Sequence, residues 1–172
     1  MTMQIPNFVV YQGKKYYLLG GGKGLPTPKD FGLHPWVWHT GCVHGYIATY
    51  TVDNNNALSL TELRIGNVQE GTEWKPINGV SPEIVYQDSW TISEDNPAER
   101  IKTRREDGRV YAGLSESTYF SGQLWIGSDK IHSLVAHSIF PQPHEFEQVY
   151  ILTFDNGKLV NVVDCSGAVA LE

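Results

Sequence analysis

The chain has 172 residues, 41% of them apolar and only 19% charged, below the roughly 25% usual in globular proteins. That composition excludes disorder, and the length suits one domain with a full core, read as residues 1–170 with Leu171-Glu172 set aside as a cloning scar. Thirteen basic against 19 acidic residues give a net charge of −6, which argues against broad phosphate-backbone binding and so against a nucleic-acid partner. No apolar run is long enough to span a bilayer, and the N-terminus, Met1-Thr2-Met3-Gln4-Ile5-Pro6, carries neither the basic nor the apolar stretch of a secretory signal. The two cysteines, Cys42 and Cys165, read as reduced thiols of a cytoplasmic protein. Aromatic and β-branched residues separated by glycines favour strands and tight turns.

In chain order, four segments repeat an apolar run, a polar turn and a second apolar run. The first pairs residues 8–11 with 16–19 around Gln12-Gly13-Lys14-Lys15. A second pairs 45–52 with 58–65 around Asp53-Asn54-Asn55-Asn56. The third pairs 122–126 with 131–140 around Gly127-Ser128-Asp129-Lys130. The last pairs 149–154 with 159–163 around Asp155-Asn156-Gly157-Lys158, and Asn-Gly between apolar runs is the strongest short hairpin signal. Along residues 58–65 the apolar positions change parity, since Leu58 and Leu60 share one and Leu63 and Ile65 the other. A β-bulge near Thr61-Glu62 restores a continuous apolar face, as does burial on both sides.

Between the second and third hairpins, Ile84-Val85-Tyr86 and Trp90-Thr91-Ile92 read as short strands around a turn. After them stands the one helix signal: Asn96 as cap, Pro97 at the first position, Glu99 at the capping-box site and Gly108 as terminator. Residues 20–35, rich in Gly and Pro, form a loop of the length that covers a site or a barrel mouth. The expected fold is all-β, an antiparallel hairpin-built barrel or two packed sheets with at most one short helix.

Chemistry-bearing residues concentrate in residues 34–44, His34-Pro35-Trp36-Val37-Trp38-His39-Thr40-Gly41-Cys42-Val43-His44. Imidazole and thiolate suit zinc, and on a strand Cys42 and His44 face one side. The spacing fits no zinc signature, a fourth ligand has to come from Cys165, His132, His137 or His144, and no metal site is assigned. A Cys42 nucleophile activated by His39 or His44 lacks an elbow, an oxyanion loop and an orienting acid, so no catalytic residue is assigned. Gly20-Gly21-Gly22-Lys23-Gly24 lacks the Gly-Lys-Ser/Thr of a phosphate loop, and Leu25-Pro26-Thr27-Pro28 cannot open a helix behind it. Glu145 and Glu147 read as a solvated edge, and no cofactor motif is legible. Lys102, Arg104, Arg105 and Arg109 make a basic run in an acidic protein, of the kind that steers an acidic partner or forms a solvated face.

Several turns carry a resemblance. Tyr11-Gln12-Gly13-Lys14-Lys15-Tyr16-Tyr17-Leu18, Gly45-Tyr46-Ile47-Ala48-Thr49 with Leu58-Ser59-Leu60, Phe120-Ser121-Gly122-Gln123-Leu124-Trp125-Ile126 and Asp155-Asn156-Gly157-Lys158-Leu159-Val160 resemble a group of small bacterial all-β proteins. The sequence departs from that pattern at Cys42-Val43-His44, where the group has Trp-Arg before the glycine. The resemblance implies a bacterial, cytoplasmic, all-β protein and carries no activity or ligand with it.

Three functional readings follow. The leading one is a non-enzymatic protein that recognises a protein partner, of the immunity or accessory type. A second is a small-ligand β-barrel, with His34, Trp36, Trp38, His39, Cys42, His44 and Trp125 as its binding residues and the 20–35 loop as its roof. The third is a metal-dependent or thiol enzyme centred on His39, Cys42 and His44.

Overall fold

The computed structural model describes residues 2–131 and 139–167. Eleven strands run in chain order: β1 Phe8–Tyr11, β2 Lys14–Gly21, β3 Pro35–Trp36, β4 Tyr46–Val52, β5 Leu58–Ile65, β6 Asn67–Val68, β7 Glu83–Ile92, β8 Arg100–Ser117, β9 Gly122–Lys130, β10 Phe146–Asp155 and β11 Lys158–Asp164. Nine form one sheet in the order β11-β10-β9-β2-β1-β4-β5-β8-β7, and β3 pairs with β6 as a separate two-stranded ribbon. Helical structure among the described residues is confined to two 3-10 turns, Pro28–Phe31 and Pro143–Glu145. No helix there is long and apolar enough to cross a membrane.

The all-β expectation holds, with two corrections to its architecture. The sheet is mixed, because β1 runs parallel to β4, from Phe8 beside Thr49 to Val10 beside Thr51. It also curls without closing into a barrel, so β11 and β7 remain as edges. At one rim the curl brings the two hairpin tips together: Leu58 N–H donates to the Gly157 carbonyl at 2.9 Å, and Leu159 N–H to the Asn56 carbonyl at 2.8 Å.

The first, second and fourth hairpins stand where the turn residues put them. Asn156 and Gly157 both have positive φ, 48° and 81°, which is what a two-residue turn between right-twisted strands requires. The third does not form as expected. Gly127-Ser128-Asp129-Lys130 continue β9, Gly127 paired with both β2 and β10 and the rest of the segment running on beside β10, which offers it backbone partners. Of its expected return, residues 132–138, His132 and His137 among them, lie outside the described residues.

The parity change in β5 is a bulge. Thr49 pairs with Glu62 and Tyr50 with Leu60, leaving Thr61 over, its hydroxyl 2.8 Å from that of Thr51. With one residue taken up there, Leu58, Leu60, Leu63 and Ile65 all face the core and are buried. Each such residue contributes about 1.5–3 kcal/mol as its side chain leaves water.

A curled sheet that fails to close leaves a concave face, and two connections fill it. The 20–35 loop inserts Leu25, Leu33 and Phe31, and the segment before β7 inserts Ile77, with Trp74 and Val80 packed alongside. One buried tyrosine anchors each. The Tyr50 hydroxyl donates to the Pro26 carbonyl at 2.6 Å, and the Tyr111 hydroxyl to the Lys75 carbonyl at 2.7 Å. Burial raises the pKa of both phenols above the usual 10.0, most strongly at Tyr50.

The stretch expected to be helical is strand. β7 is continuous from Glu83 to Ile92, and β8 runs 18 residues from Arg100 to Ser117. Asn96 does cap, but it caps a hairpin turn: its side chain accepts from Ala98 N–H at 3.2 Å, and Ser93 N–H donates to the Glu99 carbonyl at 3.0 Å. Ile101 and Thr103 alternate with Arg100, Lys102 and Arg104, a period of two that pairs with β7 and outcompetes the capping signal.

Two predictions concern the anchors. Replacing Tyr50 or Tyr111 with Phe removes one buried hydrogen bond, and denaturant unfolding should show each loss as about 1 kcal/mol. Because both phenols have folded-state values above the unfolded 10.0, the stability they contribute is complete below pH 10 and falls as pH rises through the folded values. Unfolding followed above pH 10 should steepen in the native protein and flatten in the doubly substituted one.

Candidate functional site

β8 is longer than the body of the sheet needs. From Arg109 to Ser117 it pairs with β5, but β5 stops at Ile65, and from Arg100 to Glu106 only β7 remains beside it. The outer part of the hairpin therefore projects as a two-stranded arm, seven paired residues from Tyr86–Glu106 to Ile92–Arg100, or about 23 Å at strand rise. Its side chains are almost all exposed, Trp90 at 63% and Ile92 at 69% included. On one face Arg104 lies 4.1 Å from the Tyr86 ring, and Lys102 pairs with Asp88 at 3.2 Å.

At the root of the arm the ladder slips: Ile84 pairs with Arg109 but Tyr86 with Glu106, so Asp107 and Gly108 stand against Val85 alone. Gly108 has φ 83°, and a Cβ there would sit 2.3 Å from the Ile65 carbonyl oxygen, so no other residue fits this bulge without moving the backbone. The bulge turns Asp107 towards the end of β5. There its carboxylate accepts from the Trp38 indole N–H at 2.9 Å and pairs with Arg64 at 3.5 Å. The Arg64 guanidinium also lies 4.9 Å from the Trp38 ring. Trp38 rests on Gly66, where a Cβ would come within 1.9 Å of its ring. Opposite, Arg109 lies 4.9 Å from the ring of Trp74. Between these walls is an open cleft of about 390 Å³, lined also by Asn67, Arg105, Glu106 and Gly108.

The residues singled out in sequence do not converge. Of residues 34–44 and Trp125, Trp38 lines the cleft, together with Arg105 and Arg109 of the basic run. His34 and Trp36 stand on and beside β3, exposed, with Trp36 opposite Asn67. His39 is exposed, its ring 5.3 Å from that of Trp38 and its Nδ1 accepting from Gly41 N–H. His44 borders a separate hollow with Tyr46 and Phe140. Trp125 is on β9, paired with Gly20 and Ile151. No single mouth is lined by Trp36, Trp38 and Trp125, and the concave face is occupied by the two connections.

Cys42 is 1% exposed, and its thiol donates to the Tyr46 carbonyl at 3.5 Å. Burial pushes that thiol above its usual pKa, away from the thiolate a nucleophile or metal ligand needs. Among the described residues no three His, Cys, Asp or Glu side chains are arranged to hold a metal ion. Glu145 is buried in its 3-10 turn, bonded to Gln142 N–H, while Glu147 is exposed on β10, so the two carboxylates serve different surroundings.

Sequence reasoning missed Trp74, Arg64, Gly66 and Asp107. Asp107-Gly108 inside an alternating run was the available signal, since Gly within a strand marks a bulge or a close approach. Comparison with known protein families, with curated proteins and with solved structures finds no match for the protein.

Two outcomes test this geometry. Gly66→Ala drives a methyl into the Trp38 ring, and it should shift tryptophan emission and cost about 1–3 kcal/mol in unfolding, the range for overpacking. In the native protein Cys165, half-exposed, should react with a thiol reagent while Cys42 stays protected until unfolding.

Proposed function

We propose that the protein is a non-enzymatic binding protein that recognises a protein partner, with the arm and the cleft at its root as the recognition surface. The observation that carries this reading is the composition of the cleft: two indoles, Trp38 and Trp74, facing Arg105 and Arg109 in one concavity. Trp and Arg are the residues in which binding energy concentrates at protein interfaces, and a concavity that sets two indoles beside guanidinium groups suits an anchor with both an apolar and a charged part. The arm supports the same reading. An isolated two-stranded ribbon is marginal in water, and this one exposes Trp90 and Ile92 together with two unpaired strand edges. A partner that covers the ribbon removes both liabilities.

Charge fits this role. Arg100, Lys102, Arg104 and Arg105 form a basic run on one strand of a protein whose net charge is −6, and acidic groups of a partner lying along that strand pair with them. Recognition of the immunity or accessory type is the use that matches an exposed arm standing beside a cleft.

The full-length protein, immobilised and exposed to lysate of the cell that encodes it, should retain one protein in stoichiometric amount. Trp74→Ala should weaken that complex by about 2 kcal/mol, near thirtyfold. Substituting exposed Val160 on the opposite edge with Ser should leave it unchanged. Recovery of no stoichiometric partner, or of one indifferent to Trp74, contradicts the reading.

A further inference from the structure

We propose that the cleft at the root of the arm is a carboxylate-binding site, and that it takes a carboxylate borne on an apolar stem; this rests on the partner reading above and names the group the partner inserts. Arg105 and Arg109, which line the cleft, lack what Arg64 beside it has. Arg64 is engaged by Asp107, but neither Arg105 nor Arg109 has an ion-pair partner among the described residues. Arg109 is only half-exposed, and its guanidinium lies over the Trp74 ring at 4.9 Å. Stacking fixes the plane of a guanidinium while leaving its in-plane N–H donors unused. A planar fork held still beside a cavity matches the two oxygens of a carboxylate, which accept two parallel hydrogen bonds.

The carboxylates already in the wall do not occupy that fork. Asp107 is turned to the Trp38 indole N–H and to Arg64, which spend its charge. Glu106 is exposed and makes no ion pair among the described residues. Arg105 and Arg109 thus face one uncompensated carboxylate, and the cleft favours an anion. Its walls choose among anions. Trp38 and Trp74 add apolar patches to a mostly polar lining, and about 390 Å³ exceeds what a bare inorganic anion fills. A carboxylate with an aryl or alkyl stem satisfies both the fork and the indoles. Such a group reaches a protein surface in two ways, on an acidic side chain or at the carboxyl end of a polypeptide.

The test uses the full-length protein labelled with nitrogen-15, reading the indole N–H resonances of its five tryptophans. Trp74→Phe and Trp38→Phe assign the two that matter. Four probes are titrated: N-acetyl-phenylalanine, which has a terminal carboxylate; the α-amide of N-acetyl-glutamate, which has only a side-chain one; N-acetyl-phenylalaninamide, which has none; and inorganic phosphate. One or both acids should move the Trp38 and Trp74 signals saturably, leaving Trp90 and Trp125 in place. Whichever acid binds more tightly identifies the source of the carboxylate. Arg109→Gln should weaken that binding at least tenfold with the other indole signals unmoved, and Arg109→Lys, which keeps charge without the fork, should fall between.

The proposal is overturned if the amide binds as well as the acid, if phosphate binds more tightly than either acid, or if Arg109→Gln changes nothing. Absence of any shift also overturns it. A partner captured in a Trp74-dependent way would then still stand, so failure here and failure of the partner reading are told apart.

Discussion

The carboxylate of Asp107 sits where the sheet narrows from nine strands to two, and both the cleft and the arm depend on it. Gly108 makes the bulge that aims this carboxylate, and β5 ends before reaching it. Two donors then converge on it, the Trp38 indole and the Arg64 guanidinium. Removing the carboxylate would leave both partly buried donors without their acceptor, a loss of about 1–3 kcal/mol concentrated at the one point where the arm joins the body. The arm itself contributes little to that sum. Its exposed pairs, Asp88–Lys102 among them, are worth no more than about 1 kcal/mol each. The root is held by these contacts, and what extends from it is held by one ladder of hydrogen bonds.

The body solves a different problem. Nine curled strands that do not close would leave an apolar concave face in water, and the protein fills it with its own connections. Leu25 and Leu33 enter from one side and Ile77 from the other, and Tyr50 and Tyr111 tie each plug to the sheet. The concave face is therefore filled, and the recognition surface proposed above lies instead at the sheet's edge, where β8 outruns β5. Edge strands invite pairing with another protein, and the arm presents two such edges with charged residues along them.

Legibility in the sequence followed physical range. Turns are local, so Asn156-Gly157 and Asp53-Asn54-Asn55-Asn56 identified their hairpins, and the slip between Leu60 and Leu63 marked the bulge at Thr61. The parallel pairing of β1 with β4 is not local, and no residue in either strand announces it. The helix expected from Asn96-Pro97 failed because capping residues also close hairpin turns, and Ile101 and Thr103 carried the period that decided. At the candidate site, Trp38 is the residue of the 34–44 segment that lines the cleft. Cys42, His39 and His44 drew the eye as ligands, while Trp38 matters through Asp107, 69 residues away in sequence. Trp74 lay in a segment with neither a clear period nor a motif, and only the fold places it against Arg109.

The central claim is that recognition happens at the root of the arm and along it. Hydrogen exchange followed by mass spectrometry, on the free protein and on its complex with the captured partner, tests this directly. Exchange from Tyr86 to Glu106 should be rapid in the free protein, with strong protection appearing there and around Trp38 and Trp74 in the complex, while β9 and β10 are unchanged. Protection confined to β11 or the 20–35 loop, with the arm exchanging as before, would contradict it.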